Sequence, residues 1–157
     1  EGFQAGLSWL TVLRKRDRFR EVFAGFDPAV VARYGETEVE LLLGDAGIIR
    51  HRGKIESTIN NAARCLELAE QFGSLAGWLW SWEPDQSVRE IDGSIPASTP
   101  TSAALSRDLK KRAWSFIGPT TIYAFMQAVG MVNDHLPNCW AHPAVEAERA
   151  ALLRPVR

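Results

Sequence analysis

With 157 residues, 46% of them hydrophobic and 24% charged, the chain has the balance of one globular domain rather than a disordered or fibrous one. No apolar run approaches the roughly 20 residues of a membrane span, and no signal-peptide pattern opens it, so a cytoplasmic protein is expected. Two cysteines, Cys65 and Cys139, are too few for a disulfide framework, and the net charge is only −1.

Helical periodicity dominates from the start. Phe3, Leu7, Leu10 and Leu13 follow steps of four and three, which predicts one apolar helix face, and Phe19, Val22 and Phe23 continue the spacing. Phe26-Asp27-Pro28 is a break, with Asp27 placed to cap a short helix through Val31. Thr37 with Glu40 predicts the next start, for a helix carrying Val39, Leu42 and Leu43, interrupted at Gly47-Ile48-Ile49. The longest helix is predicted from Arg52 to Phe72 with Ile55, Ile59, Ala62, Leu66 and Ala69 inside and Gly73 as its stop. Cys65 falls on its inner side and reads as a buried free thiol. Ser74 then caps a tryptophan-rich helix through Trp82, whose three indoles read as core and groove lining.

Residues 83–100 are polar and turn-rich, a predicted loop. Thr101 or Ser102 is placed to cap a helix through Leu105 and Leu109 that closes at Lys110, Lys111 and Arg112, where the dipole favours cations. A tight turn at Gly118-Pro119-Thr120 leads into a helix from Thr121 to Val129. After Gly130 the chain is irregular until Ala144, and a last helix runs to Leu153. No repeat and no convincing strand appears, so the fold class is all-α.

Charge is segregated. Arg14, Lys15, Arg16, Arg18 and Arg20 form one basic run, Arg50, His51, Arg52 and Lys54 a second, and Arg107, Lys110, Lys111 and Arg112 a third. Acids gather at Glu36, Glu38, Glu40 and Asp45, and at Glu83, Asp85, Glu90 and Asp92. The basic runs are either solvated helix ends or, on a shared face, a surface for polyanion.

Three segments carry possible chemistry. Across residues 114–127 a helix ends, Phe116 and Ile117 pack, and a new helix begins at once. The amides of Gly118, Thr120 and Thr121 then face outward at a helix N-terminus, a ready anion site, with DNA phosphate the natural anion beside Lys110 and Lys111. The same pattern is also met in an ordinary αα-hairpin. His135 and Cys139, four apart with Pro137 forcing a loop between them, suit Zn²⁺ but supply only two of the four ligands a structural site wants. Glu1 and Trp9 flank a run of small residues that lets a base approach the backbone, but on chemistry alone the favoured reading is an exposed terminal acid and a core tryptophan.

Taken together, Glu1-Gly2-Phe3-Gln4-Ala5-Gly6-Leu7-Ser8-Trp9, the stretch 45–55, the stretch 116–127, and Val132-Asn133-Asp134-His135 with Cys139 resemble the signature segments of the DNA-3-methyladenine glycosylase I (Tag) family, in order and spacing along nearly the whole chain. The resemblance implies a helix-hairpin-helix glycosylase that excises 3-methyladenine from double-stranded DNA as a monomer, with the hairpin within about 105–130 and a zinc-loop half-site over 133–140. Glu1 would read the edge of the flipped base and be needed for activity. Trp9 would stack on it, Leu7 would wedge near the DNA, and Gly118, Thr120, Thr121, Lys110 and Lys111 would hold phosphate. His135 and Cys139 would be two of four ligands of a structural zinc. In that family a cysteine, a histidine and pocket aromatics lie upstream of the glutamate. The chain opens at Glu1 without a methionine, which reads as a missing beginning, and such a piece is expected to be less stable and nearly inactive beside an active full-length protein. Asp134 is the nearest candidate for the aspartate of related hairpin enzymes, but its spacing assigns it no catalytic role. Two other functions stand beside this one: a non-catalytic DNA-binding hairpin module, and a strand-cleaving lyase, which needs a lysine nucleophile beside the hairpin.

Overall fold

A computed structural model of the chain describes residues 1–85 and 95–155. Among them there are helices and no strands, as the periodicity predicts. The α-helices are α1 (Trp9–Leu13), α2 (Arg16–Val22), α3 (Pro28–Val31), α4 (Glu36–Gly44), α5 (Arg52–Phe72), α6 (Leu75–Trp80), α7 (Pro100–Lys111), α8 (Pro119–Ala128) and α9 (Ala141–Ala151), with 3-10 turns at Gly2–Gln4 and Ala24–Phe26.

The centre of the molecule is α5, whose 21 residues span about 32 Å at 1.5 Å each. Its bounds match the predicted ones, because His51 caps the first turn through its ring nitrogen and Gly73 leaves the helix at φ 76°. Two apolar clusters form along it. Ile55 and Ala62 join Phe3, Phe19, Phe23, Val31, Val39, Leu42 and Ile48 in the first. Further along, Leu68 joins Trp78, Leu105, Leu109, Ile117, Ile122, Tyr123, Met126, Met131 and Val132 in the second. One long helix therefore carries two cores side by side, with a seam between them.

Several boundaries differ from the sequence reading, each for a local reason. The predicted continuous face through Phe3, Leu7, Leu10 and Leu13 does not exist. Gly6 turns left-handed at φ 75° and the Ser8 hydroxyl caps a new helix by accepting from the Thr11 amide, so only Phe3 of the four is buried. The cap of helix α4 lies two residues before Thr37: it is Gly35, and the Glu38 carboxylate takes the Gly35 amide at 2.7 Å. Thr99, not Thr101 or Ser102, caps α7, and its hydroxyl and that of Ser102 exchange hydrogen bonds with each other's amides. Pro100 at the first helical position was the overlooked signal. Leu66 lies on the outer face of α5, exposed, rather than inside.

The tryptophan-rich helix α6 ends at Trp80; Trp78 is buried, and Trp80 and Trp82 are half-buried. The last helix starts three residues before Ala144 and ends two before Leu153. The loop expected over 83–100 is seen at both ends; residues 86–94, with the acidic positions Glu90 and Asp92, lie outside the described residues. Glu83, at the start of that loop, receives Arg149 and Arg154 at 3.1 and 2.9 Å, which fastens the chain's end beside α6.

Candidate functional site

The seam between the two cores opens as a cleft of about 490 Å³. Phe3, Val31 and Ala62 line it from one cluster and Leu109, Ile117 and Ile122 from the other. A flat apolar ligand entering here is gripped by two packed bodies without breaking either. Glu1 stands in its lining and also in that of an adjoining cleft of about 350 Å³, which holds Trp9, Val12 and Leu13. The two residues that the sequence singled out near the start thus share one groove system, with Glu1 in the lining of both clefts.

The position of Glu1 follows from its neighbours. A 3-10 turn, in which the Glu1 carbonyl accepts from the Gln4 amide at 3.0 Å, starts the chain. Phe3 plugs that turn into the first core, its ring centroid 4.4 Å from Phe19 and 5.8 Å from Phe23. From α5, the Lys54 ammonium donates to the Phe3 carbonyl at 2.8 Å and to the Ala5 carbonyl. Lys54 is only 6% exposed, and burial pushes its ammonium below the ordinary lysine value. Trp9, by contrast, is 61% exposed, so it is not a core tryptophan; Leu7 beside it is exposed as well.

The opposite wall is the connection between α7 and α8. Two non-glycine residues here are left-handed, Ala113 at φ 62° and Phe116 at φ 53°, a conformation that costs about 1–3 kcal/mol each and persists only where the surroundings impose it. The surroundings are a polar stripe on α5. Asn61 takes the Ser115 amide at 3.0 Å and donates to the Ser115 carbonyl at 2.9 Å, Ser57 bonds the Ser115 carbonyl and hydroxyl at 3.1 and 2.9 Å, and Asn60 donates to the Ala113 carbonyl at 2.8 Å. Ile117 drops into the second core, where its carbonyl takes the Ser106 hydroxyl at 2.7 Å. Phe116 does not pack with it as predicted: the left-handed turn sends its ring outward, edge-on to His51 at 6.0 Å and beside Gly53, while its carbonyl and Cβ face Gly2.

That turn delivers Gly118 as an extended N-cap, with Pro119, Thr120 and Thr121 forming the first turn of α8. The amides of Thr120 and Thr121 precede the first intrahelical acceptor and point out of the helix end. Thr120 is exposed and Thr121 lines the larger cleft. Lys110 and Lys111 are exposed in the last turn of α7 and belong to the lining of neither cleft.

The basic runs have diverged in use. Lys15 donates to the Ala46 carbonyl at 2.6 Å and Arg18 pairs with Asp45 at 2.7 Å, which sets the first run against the loop that begins the second. Asp45 is held below the ordinary carboxylate range, first by the Gly47 amide and then by Arg18. Arg52 pairs with Glu36 and Glu40, and Arg112 lies over the Phe72 and Trp78 rings while pairing with Asp108. These arginines are structural partners, not a bare cationic face.

His135 and Cys139 come together, Nδ1 to Sγ at 3.6 Å, on an exposed loop. The edge of a tetrahedral zinc site with one nitrogen and one sulfur ligand is roughly 3.5 Å, so the pair fits two corners. Among the described residues no cluster of three or more histidine, cysteine or acidic side chains completes such a site. The loop is shaped from below: buried Asn133 donates to the His142 carbonyl and Glu146 at 3.1 and 2.8 Å and takes the His135 amide at 3.2 Å. Asp134 accepts from Tyr123 and Gln127 of α8, a fastener's position rather than a catalyst's.

The family model for methyladenine glycosylase matches residues 1–142, nine-tenths of the chain. The chain belongs to the methyladenine glycosylase family. Among its relatives, DNA-3-methyladenine glycosylase 1 of Escherichia coli (strain K12) is 47% identical over 146 residues, covering 91% of this chain and 78% of that protein. The Haemophilus influenzae DNA-3-methyladenine glycosylase is 42% identical over 142 residues, covering 88% and 77%. A crystal structure of 3-methyladenine DNA glycosylase I (TAG) superposes with a TM-score of 0.81 at 46% identity, covering 90% of this chain and 80% of that one. A tyrosine-to-phenylalanine variant of TAG in complex with 3-methyladenine gives 0.84 at 33% identity, covering 90% and 78%.

Within this methyladenine glycosylase fold, the expected residues fall into three groups. Glu1, Trp9 and Thr121 line the clefts, Leu7, Lys110, Lys111, Gly118 and Thr120 belong to the lining of neither, and His135 with Cys139 form a separate pair. The sequence reading missed Lys54, Ser57, Asn60 and Asn61, which hold both walls. Their signal was a polar stripe at steps of three and four along the best-defined helix, adjacent to its apolar face. Cys65 is half-buried in the cleft wall rather than enclosed, and burial raises its thiol to about 11.

Proposed function

We propose that the chain is a DNA repair glycosylase that hydrolytically excises 3-methyladenine from alkylated double-stranded DNA, acting as a monomer in the cytoplasm. The observation that carries the reading is that Glu1 and the α7–α8 connection line one cleft between two packed cores. In this reading α7, residues 113–118 and α8 act as a helix-hairpin-helix. The amides of Gly118, Thr120 and Thr121 bind a backbone phosphate, and Lys110 and Lys111 bind its neighbours. Leu7, exposed two residues before Trp9, fills space in the duplex when the damaged nucleotide leaves the stack.

The chemistry asks little of the protein. Methylation at N3 puts positive charge on adenine, so the glycosidic electron pair flows onto a base that leaves neutral without prior protonation. Trp9 stacks on the cationic ring and the Glu1 carboxylate accepts from its edge, both interactions favouring the charged, damaged base over ordinary adenine. Water forms the new bond to the sugar carbon and releases a proton to solvent. Asp134, already accepting from Tyr123 and Gln127, takes no part.

The lyase reading loses its support. Lys110 and Lys111 lie outside both clefts, and the lysine that does line the cleft, Lys54, is spent on two carbonyls. For the zinc, His135 and Cys139 would supply an imidazole and a thiolate that clamp the 133–140 loop, away from the reaction. Replacing Cys139 with serine is expected to lower the zinc bound per chain.

The deciding experiment measures free 3-methyladenine released from methylated duplex DNA. Release by the chain, lost with Glu1→Gln, is the expected result. Tight DNA binding without release would leave only the non-catalytic hairpin module.

A further inference from the structure

We propose that Lys54 is the positioning residue of this site: its buried ammonium, clasping the Phe3 and Ala5 carbonyls from α5, sets where the Glu1 carboxylate stands. The inference rests on Glu1 being the residue that reads the base.

The segment from Glu1 to Leu7 has little else to fix it. It is one 3-10 turn closed by backbone bonds spanning three residues, with a left-handed Gly6 after it, and Phe3 is its buried side chain. One ring anchors a point but leaves the turn free to rotate about it. The two Lys54 bonds reach carbonyls on either side of Gln4, 51 and 49 residues away in sequence, and so remove that rotation. Lys54 is in the lining of the same cleft as Glu1, and its helix also carries Ser57 and Asn61, which hold the opposite wall. The distance between base reader and phosphate grip is thereby referred to one rigid helix.

The residue type supports this. A buried ammonium costs solvation that an apolar side chain avoids, and methionine would fill nearly the same space. What lysine adds is donors able to serve two carbonyls at once.

The test is a double-mutant cycle in the full chain. K54M is expected to slow single-turnover excision at saturating enzyme by about 10- to 100-fold, the scale of a displaced catalytic group, with DNA affinity within about threefold. K54R, which keeps donors, recovers most of the rate. In the E1Q background K54M is expected to add no further loss, because the group it positions is gone. Near-UV circular dichroism checks that K54M folds, and K54Q takes its place if it does not. Equal loss of DNA affinity, an additive double mutant, or an unslowed K54M overturns the inference. So does borohydride trapping of Lys54 on abasic DNA. Parent activity is measured first: an inactive parent removes the glycosylase reading itself, and this inference with it. An active parent with an equally active K54M removes only the role given to Lys54.

Discussion

The two walls of the cleft are held to the same helix in opposite ways. The hairpin wall is tied by several neutral hydrogen bonds from Ser57, Asn60 and Asn61, enough to hold Ala113 and Phe116 left-handed. The N-terminal wall hangs from one cation and one phenylalanine, and beyond Gly6 it exposes Leu7, Trp9 and Leu10. A phosphate is the same at every nucleotide, so its grip profits from rigidity and can be built once. A base must be pulled out of the stack and fitted, and the apolar surface that receives it has to remain unburied until then. Under the proposed function, the difference assigns preorganisation to the grip on the DNA backbone and adaptability to the lesion.

The comparison breaks most sharply at Glu1. E1Q keeps size and fold while removing the charge; excision is expected to fall by roughly 10²- to 10³-fold, with affinity for undamaged duplex unchanged. The opposite pattern is expected from the hairpin wall. N61A strands the Ser115 amide, at a cost of about 1–3 kcal/mol, visible as a lower melting temperature together with weaker binding of any duplex. If N61A changes only lesion excision, the division between walls is wrong.

Trp9 sharpens the contrast further. W9A should lose about 1–3 kcal/mol of base affinity, measured as a rise in the substrate concentration that gives half-maximal excision. Its stability should stay within about 0.5 kcal/mol of the parent, since the indole is exposed. Removing the charge at Lys110 or Lys111 has a smaller effect still: each such change should reduce the slope of log affinity against log salt by about one, uniformly across sequences.

The smallest effect lies in the wall between the cores. The Cys65 thiol is raised by burial to about 11, so from its ordinary value near 9 upward the unfolded chain sheds a proton that the folded chain keeps. Stability therefore falls as pH rises across that window, and C65A should flatten the fall in pH-dependent urea melts. At pH 8 the same thiol should react with alkylating reagents more slowly than a free thiol.

How much of this was legible beforehand can be followed residue by residue. The helix α5 was readable at both ends because Ile55, Ile59 and Ala62 keep one face and Gly73 has no side chain to oppose a left-handed exit. Asp27 before Pro28 marked α3 for a similarly local reason. The same rules failed over residues 3–13. There a helical spacing of leucines arose from two unrelated elements, and exposed leucines carry the same spacing as leucines of a core. Glu1, Trp9, His135 and Cys139 were noticed through their family pattern, and only His135 with Cys139 also had spacing to suggest a meeting.

By itself, then, the sequence determined the all-α class, most helix limits and the family, since capping, glycine stops and side-chain period act within a turn or two of the residue concerned. Tertiary structure alone decided that α5 carries two cores with a cleft at their seam, that Glu1 faces this cleft, and that Lys54 and Asn61 hold its two walls. Those contacts join residues 49 to 54 positions apart. No local preference encodes them; they exist because one helix presents a polar stripe beside an apolar one, and both walls fold back onto it.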